Sequence, residues 1–319
     1  MMEKTRNRKR NRLIVIAVII IGIVFAMAGC VGAAAGGVTV MEDIPQESFA
    51  VINIAGTIQA SPDSPLDGYS YNHSVLTDYV DQLMEDETNH GILLRVNSGG
   101  GTVYHSDEMY LKLMEYKEKT GRPVYAYFDQ TAASGAYYIS CAADYIAANR
   151  NCWTGSIGVI ISYTNLSGLM DKLGVEEIII STGANKGMGS SMSPLTDEQR
   201  AIYQSLVDDS YERFTAIVAQ SRDMNIETVK ALADGRVYTA SQAVENGLVD
   251  RVATWEETLR KVEEETGVQP YEKTFSTSAS WIDYILYGIS EALPKSDMQV
   301  MEEMVSSQFS GVPMYYMVG

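Results

Sequence analysis

Short apolar runs alternate with amphipathic stretches along this chain after about residue 46, and this pattern constrains the fold more than any other feature. Strand-like runs occur at residues 49–55, 91–96, 123–128 and 145–148, and 177–180 reads as extended. Helical spacing occurs at residues 75–84, 109–114, 136–143 and 166–173, and a capping box of Thr196 and Gln199 opens a longer helix. Strands that alternate with helices favour parallel pairing, so the sequence predicts an α/β fold.

The composition places the chain among folded proteins. Its 319 residues are 46% hydrophobic and 20% charged, which is enough to build a core and excludes a disordered chain. A net charge of −17 disfavours nucleic acid as a partner, because phosphate binding needs a basic surface. We predict one domain over residues 46–268 and a different tail over 269–319.

The N-terminus differs sharply from this acidic body. Residues 1–12 carry six Lys or Arg and one Glu, and no charge follows until after Met41. A basic cytoplasmic tail (1–12) and one transmembrane helix (13–37) are therefore predicted, with the body on the extracytoplasmic face of the cell membrane. A cleaved secretory signal and a lipoprotein signal ending at Cys30 are the alternatives. Each of these three signals would place the acidic part of the chain outside the cytoplasm.

Cysteine and histidine are few. Cys141 and Cys152 lie in apolar surroundings, which favours buried free thiols over a disulfide between them. The histidines, His73, His90 and His105, show no metal-ligand spacing, because none of them lies near another in the sequence. No metal site is predicted.

Two strand ends precede predicted helices and are candidate sites, because backbone N–H groups are free there. Residues 95–101 (RVNSGGG) end in three glycines, which fits either a ligand-binding turn or a plain tight turn. A nucleotide cradle is disfavoured, because neither G-x-G-x-x-G nor Gly-Lys-Ser/Thr occurs there. At the second strand end, Ser134 stands among small residues.

A serine at the start of a helix is most often a cap, and as a nucleophile Ser134 needs a base. No histidine follows His105, so a Ser-His-Asp triad would have to use His105 or an earlier one. Lysine is the other candidate. Lys172 reads as a surface charge on an amphipathic helix, whereas Lys186 sits in a flexible loop poor in charge. A free lysine has a pKa near ~10.4, so a lysine base needs burial away from carboxylates.

Five motifs in this order resemble signal peptide peptidase A, in its short form with a single anchor, over roughly residues 48–255. They are residues 95–101 (RVNSGGG), 131–138 (TAASGAYY), 154–159 (TGSIGV), the Lys186 loop and 234–250 (DGRVYTASQAVENGLVD). The resemblance implies a Clp/crotonase-like fold of repeated ββα units and a serine–lysine dyad with no metal or organic cofactor.

Carried over by position, the resemblance makes Ser134 the nucleophile and Lys186 the general base. Ser156 resembles the hydroxyl that orients the lysine, and Gly100 and the Gly135 amide resemble the oxyanion donors. Two positions depart from the family pattern. Gly99 stands where proline is usual, which loosens the oxyanion loop, and Ala136 stands where glycine is frequent.

The resemblance further implies hydrolysis of short apolar peptides, such as signal-peptide remnants, through an acyl-enzyme. It also implies a ring-like homo-oligomer in which Lys186 acts on Ser134 of a neighbouring subunit. The rival interpretations are a Clp-type protease, which uses a histidine after its serine, a crotonase-type acyl-CoA enzyme, and a non-catalytic scaffold that binds membrane peptides.

The tail has two features of its own. Apolar residues between 281 and 289 share one helical face, which fits core packing, a membrane-surface segment or docking on a neighbour. Residues 306–319 (SSQFSGVPMYYMVG) carry no charge and alternate small with apolar residues. This is the composition expected of a substrate, so we predict that the extreme C-terminus occupies the active site or is trimmed by it.

Overall fold

The computed structural model describes residues 47–60, 70–272 and 314–316. The strands are β1 (Ser48–Ala55), β2 (Asn89–Ser98), β3 (Gly100–Thr102), β4 (Val124–Ala133), β5 (Tyr145–Ala148), β6 (Trp153–Gly155), β7 (Val237–Thr239), β8 (Arg251–Val252), β9 (Pro270–Glu272) and β10 (Met314–Tyr316). The helices are α1 (His73–Glu85), α2 (Val103–Thr120), α3 (Gly135–Ser140), α4 (Ser167–Leu173), α5 (Asp197–Ser221), α6 (Ile226–Leu232), α7 (Ala240–Glu245) and α8 (Trp255–Thr266).

Eight of these strands form one predominantly parallel sheet. Its order is β7-β6-β4-β2-β1-β9, and β5 pairs with both β4 and β8. Among these pairs only β6 with β7 is antiparallel. The prediction of an α/β fold with parallel pairing is thus confirmed as a mixed α/β fold, and the capping box of Thr196 and Gln199 forms at the start of α5.

The central strands are buried on both faces, as crossover helices require of a parallel sheet. Ile52 and Leu94 pack with the helices on one face, and their chain neighbours Val51 and Leu93 pack on the other. Neighbouring residues of a strand point to opposite faces, so each central strand reads as a continuous apolar run. The large cluster includes α3, which begins directly after Ser134.

A small second sheet lies beside the main one. β10 pairs antiparallel with β3, with Tyr315 opposite Gly101. Single bridges join Gly101 to Ile58 and Met314 to Ile160. The strand near the C-terminus therefore lies between β3 and the segment that follows β6.

Some predictions differ from the structure or lie outside it. Residues 177–180, predicted as extended, pair with no strand in the part of the chain that is described, and Ile178 and Ile180 are 77% and 95% exposed. No helix within residues 47–60, 70–272 and 314–316 is long and apolar enough to span a membrane. The anchor predicted at 13–37 and the helical face at 281–289 lie outside the described residues.

Candidate active site

Ser134 and Ser156 follow two strand ends that lie side by side. β4 pairs with β6 in parallel, and the last pair joins Ala133 to Gly155. The amide of Ser134 also donates to the Gly155 carbonyl at 2.8 Å. Both serines have a positive φ, 55° at Ser134 and 48° at Ser156. A non-glycine residue held there stores backbone strain, which is often found at functional sites.

Within the described part of the chain, the Ser134 hydroxyl has no structural role. Ser134 occupies the N-cap position of α3, but its side chain makes no capping bond. The residue is 1% exposed, and its Oγ has no hydrogen-bond partner among the described residues. Because its side chain makes no capping bond, Ser134 does not act as a helix cap. Burying an unpaired hydroxyl costs about 1–3 kcal/mol. The hydroxyl is free for chemistry.

The structure brings the predicted oxyanion residues Gly100 and Gly135 together beside Ser134. Gly100 has φ +104°, and a β-carbon there would lie 2.7 Å from the Gly135 nitrogen and 3.1 Å from the Ser134 β-carbon. The same β-carbon would overlap the carbonyl oxygen of Tyr315. Only glycine fits at position 100, because of both its φ and this crowding. The Gly135 amide, Ser134 and a peptide carbonyl thus meet at one point.

Gly101 is a further candidate oxyanion donor, which the sequence did not predict. The Ile58 amide donates to the Gly100 carbonyl at 2.9 Å, and the Thr102 amide donates to the Ile58 carbonyl at 2.8 Å. The polar groups of successive strand residues face opposite edges, so the N–H of Gly101 faces β10 and its opposite residue, Tyr315. Three successive glycines give no signal for which amide faces the groove, because that depends on the pairing with Ile58.

Residues 314–316 lie in the groove beside Ser134 as an extended peptide. Met314 exchanges two backbone hydrogen bonds with Ile160, at 2.9 and 3.0 Å. The Tyr315 side chain is fully buried, and its hydroxyl donates to the Ser210 carbonyl at 3.0 Å. Its ring packs on Tyr138 and Phe214, with centroids 4.8 and 4.7 Å away. The structure thus places residues 314–316 beside Ser134, and the occupation or trimming of an active site by the C-terminus stays a prediction.

Lys186 does not reach Ser134 within this chain. Lys186 is exposed in a turn where its amide donates to the Gly183 carbonyl at 3.2 Å, and the Ser134 hydroxyl accepts no bond from it. Lys172 is also exposed, on α4. The Ser134–Lys186 dyad and the orienting role of Ser156 stay predictions.

Two histidines that lie far apart in the sequence meet in the structure. The rings of His73 and His105 contact edge to face, with centroids 4.7 Å apart, because α1 and α2 begin next to each other. His105 Nδ1 hydrogen-bonds the Thr102 hydroxyl at 2.6 Å, and His73 pairs with Glu108 at 2.8 Å. Burial of the ring, and then the neighbouring His73, lowers the pKa of His105. Neither ring bonds the Ser134 hydroxyl, so this chain forms no Ser-His-Asp triad around it.

Cys141 and Cys152 are free and buried, as predicted. Burial raises the pKa of each thiol to about 12. Both are therefore uncharged and poor nucleophiles near neutral pH. In the described part of the chain, no group of three His, Cys, Asp or Glu residues is arranged to hold a metal ion.

Comparison with known proteins relates this arrangement to peptidases. Residues 116–269 match the sequence model of peptidase family S49. An Enterococcus faecium protein provisionally named signal peptide peptidase SppA is 36% identical over 88% of this chain and 84% of its own length. The Synechocystis protein slr0021, provisionally named a protease, is 41% identical over 59% of this chain and 67% of its own. Protease 4 of Haemophilus influenzae is 34% identical over 68% of this chain and 34% of its own.

Proposed function

The chain belongs to peptidase family S49, and from this membership we propose that it is a membrane-anchored serine endopeptidase of Clp/crotonase-like fold that uses a Ser–Lys dyad. One observation carries the proposal. The carbonyl oxygen of Tyr315, part of an extended segment, lies against Gly100 and near Gly135, directly beside a buried serine hydroxyl that has no partner. This is where an oxyanion would form if Ser134 attacked a peptide carbonyl.

The mechanism is acyl transfer. Neutral Lys186 takes the proton of the Ser134 hydroxyl as Oγ attacks the peptide carbon, and the carbonyl electron pair moves onto the oxygen. The amides of Gly135 and Gly101 hold this oxyanion, whereas the Gly100 amide, the donor expected from the sequence, donates to Ser98 Oγ at 3.1 Å. When the C–N bond breaks, the lysine returns its proton to the leaving amine. Water, deprotonated by the same lysine, then releases the acyl group and restores Ser134.

A neighbouring subunit supplies the lysine. Lys186 is exposed and the Ser134 hydroxyl is unpaired, so the two groups do not meet within the described part of one chain. The segment before Lys186 also exposes large apolar side chains, among them Leu173, Ile178 and Ile180. Burying these side chains against a second copy would remove apolar surface from water, and would carry the lysine into a dry site where the neutral form is favoured. A ring-like homo-oligomer satisfies both needs.

The substrates are short apolar peptides, with signal-peptide remnants as the physiological class. Residues 314–316 support an added-strand binding mode, because they pair through backbone hydrogen bonds and the Tyr315 side chain is buried. The basic residues 1–12 and the apolar run 13–37 anchor the protein and place the peptidase on the extracytoplasmic side, near such peptides. The mechanism uses no metal, no organic cofactor and no nucleic acid.

An occupied groove also fits a scaffold that binds peptides without cleaving them. Labelling with a fluorophosphonate separates the two functions, since only an activated serine reacts. We expect the probe to label the full chain at Ser134, with Ser134→Ala unlabelled and Ser140→Ala labelled normally. Absence of labelling in the assembled protein, together with retained peptide binding, would favour the scaffold.

A further inference from the structure

Ser106 is a second buried hydroxyl without a partner, and it lies beside the same site. It is fully buried in the first turn of α2, and its Oγ has no hydrogen-bond partner among the described residues. The helix does not use it as a cap, because Thr102 already caps α2 by accepting from the His105 amide. An unpaired buried hydroxyl is unfavourable, and in a native structure it often marks a functional role.

The neighbours of Ser106 are groups of the proposed reaction. A β-carbon on Gly135 would overlap the Ser106 Oγ. That same point lies 3.1 Å from the Gly101 nitrogen and 3.1 Å from the Tyr315 carbonyl oxygen. The Ser106 hydroxyl, one glycine amide and the peptide carbonyl therefore surround one small space. Of these three groups only the carbonyl oxygen lacks a proton to donate, so a hydroxyl hydrogen in this space has one acceptor to find.

The Ser106 hydroxyl is held rigidly and in a favourable field. It belongs to a helix of 18 residues whose N-terminus faces β3, and the partial positive charge at a helix N-terminus favours a developing anion. Its position on a helix rather than a loop restricts how far Oγ can move. A donor held in place before the reaction contributes most when charge develops, because it need not reorganise.

We propose that Ser106 is a further catalytic residue, whose hydroxyl donates a hydrogen bond to the oxyanion of the tetrahedral intermediate. This inference rests on the proposed function. The Tyr315 carbonyl represents the ground state, and in it Ser106 makes no hydrogen bond. As the carbonyl carbon becomes tetrahedral, the oxygen moves and gains charge, and the bond forms. The proton stays on Ser106, and no covalent bond to it is made or broken.

A bond formed only in the transition state has a distinct kinetic signature. It raises kcat and leaves ground-state binding unchanged, because only differential binding accelerates the chemical step. Removing a hydroxyl that merely filled space would change neither kcat nor KM, although it could change the stability of the protein. A β-carbon at position 135 would also displace the Ser106 hydroxyl, so the glycine there keeps this hydroxyl in place.

The test compares Ser106→Ala with Ser140→Ala in the full-length protein, using a fluorogenic apolar peptide. Ser140 is a matched control, because it is equally buried and its hydroxyl donates to the Ala136 carbonyl within α3. We expect Ser106→Ala to lower kcat about 100-fold, the lower range for loss of one oxyanion donor, and KM to stay within about twofold. Ser140→Ala should retain wild-type kcat.

Inhibitors provide a second readout. A peptide aldehyde forms a tetrahedral adduct with the serine, whereas the corresponding peptide alcohol has no carbonyl and carries no charge. Ser106→Ala should weaken binding of the aldehyde by about the factor lost from kcat and leave binding of the alcohol unaffected, since only the aldehyde adduct resembles the transition state.

Several results would overturn the inference. A wild-type kcat in Ser106→Ala would do so, as would an equal loss of affinity for both inhibitors. If Ser106→Ala fails to fold, Ser106→Cys keeps most of the volume with a weak donor, and normal turnover in that variant would be equally decisive. Failure of the proposed function looks different, because wild-type protein would then show neither turnover nor fluorophosphonate labelling.

Discussion

The ring of Tyr315 stacks on the ring of Tyr138, with centroids 4.8 Å apart and planes inclined by 23°. Tyr138 belongs to α3, the helix that begins directly after Ser134. A residue four positions from the end of the chain therefore packs against the helix that follows the proposed nucleophile. Because the Tyr315 carbonyl oxygen lies against Gly100, next to Ser134, we expect the peptide bond after Tyr315 to be the one that Ser134 attacks.

Active protein should accordingly trim its own C-terminus. Intact-mass spectrometry should show a complete C-terminus on Ser134→Ala protein and a shorter one on active protein, ending at or near Tyr315. Deleting residues 306–319 should raise turnover of an added peptide, because the groove is then open. Equal masses, with no gain in turnover on deletion, would contradict both parts of this prediction.

The dyad should depend on two residues from different subunits. Ser134→Ala and Lys186→Ala should each lower turnover at least about 10³-fold, as is usual when a nucleophile or base is removed. Lys172→Ala should keep turnover near that of the wild type. Activity should rise toward alkaline pH, because only the neutral lysine takes a proton.

Mixing the two inactive variants before assembly should restore part of the activity, since some sites then pair an intact Ser134 with an intact Lys186. Light scattering should show an oligomer for the wild type. An active monomer would show that no neighbouring subunit is needed. A Lys186→Ala variant with normal turnover near neutral pH would show that Lys186 is not the base.

Gly101→Ala should damage β3. A β-carbon at this position would overlap the backbone carbonyl of Ile58, which cannot move like a flexible side chain. We expect a loss of about 1–3 kcal/mol in the free energy of unfolding, the usual cost of overpacking, and a fall in kcat. Gly168→Ala is the control, because a β-carbon there meets no atom within 4 Å. Denaturant unfolding of both variants measures the difference.

Arg222 should be a stability determinant remote from the chemistry. Its side chain is 8% exposed and donates twice to the Asp250 carboxylate and once to the Gly247 carbonyl. Arg222→Ala removes these donors and leaves a partly buried carboxylate. We expect a loss of about 2–4 kcal/mol in the free energy of unfolding, somewhat less than the ~3–5 kcal/mol for fully buried pairs, because Asp250 is partly exposed. Arg213→Ala, which breaks an exposed pair with Asp209, should change stability by less than about 1 kcal/mol.

The buried thiols should resist alkylation. Since burial raises the pKa of Cys141 and Cys152 to about 12, the thiolate fraction is very small at neutral pH and remains small up to about pH 10. Peptide mapping after iodoacetamide treatment should find both cysteines unmodified in folded protein and modified in denaturant. Rapid modification of either thiol at pH 8 in the folded state would contradict its burial.

Local patterns in the sequence determined much of this molecule. Strands and helices followed from apolar periodicity, as at β5, whose bounds match the predicted run. The capping box at Thr196 is also local, because it joins residues three positions apart. The motifs around Ser134 and Lys186 carried the resemblance to a peptidase family, and comparison with known proteins bears the family out.

The tertiary structure alone decided which groups meet. The alternating amide directions of β3 depend on the pairing with Ile58, and so the role of Gly101 was not readable from three equivalent glycines. His73 and His105 lie 32 positions apart and touch only because two helices begin side by side. Ser106 belongs to no motif in the sequence, and its proposed role follows from its burial beside Gly135. Periodicity encodes which face of an element is buried, whereas the partner across that face is set by packing between segments distant in the chain.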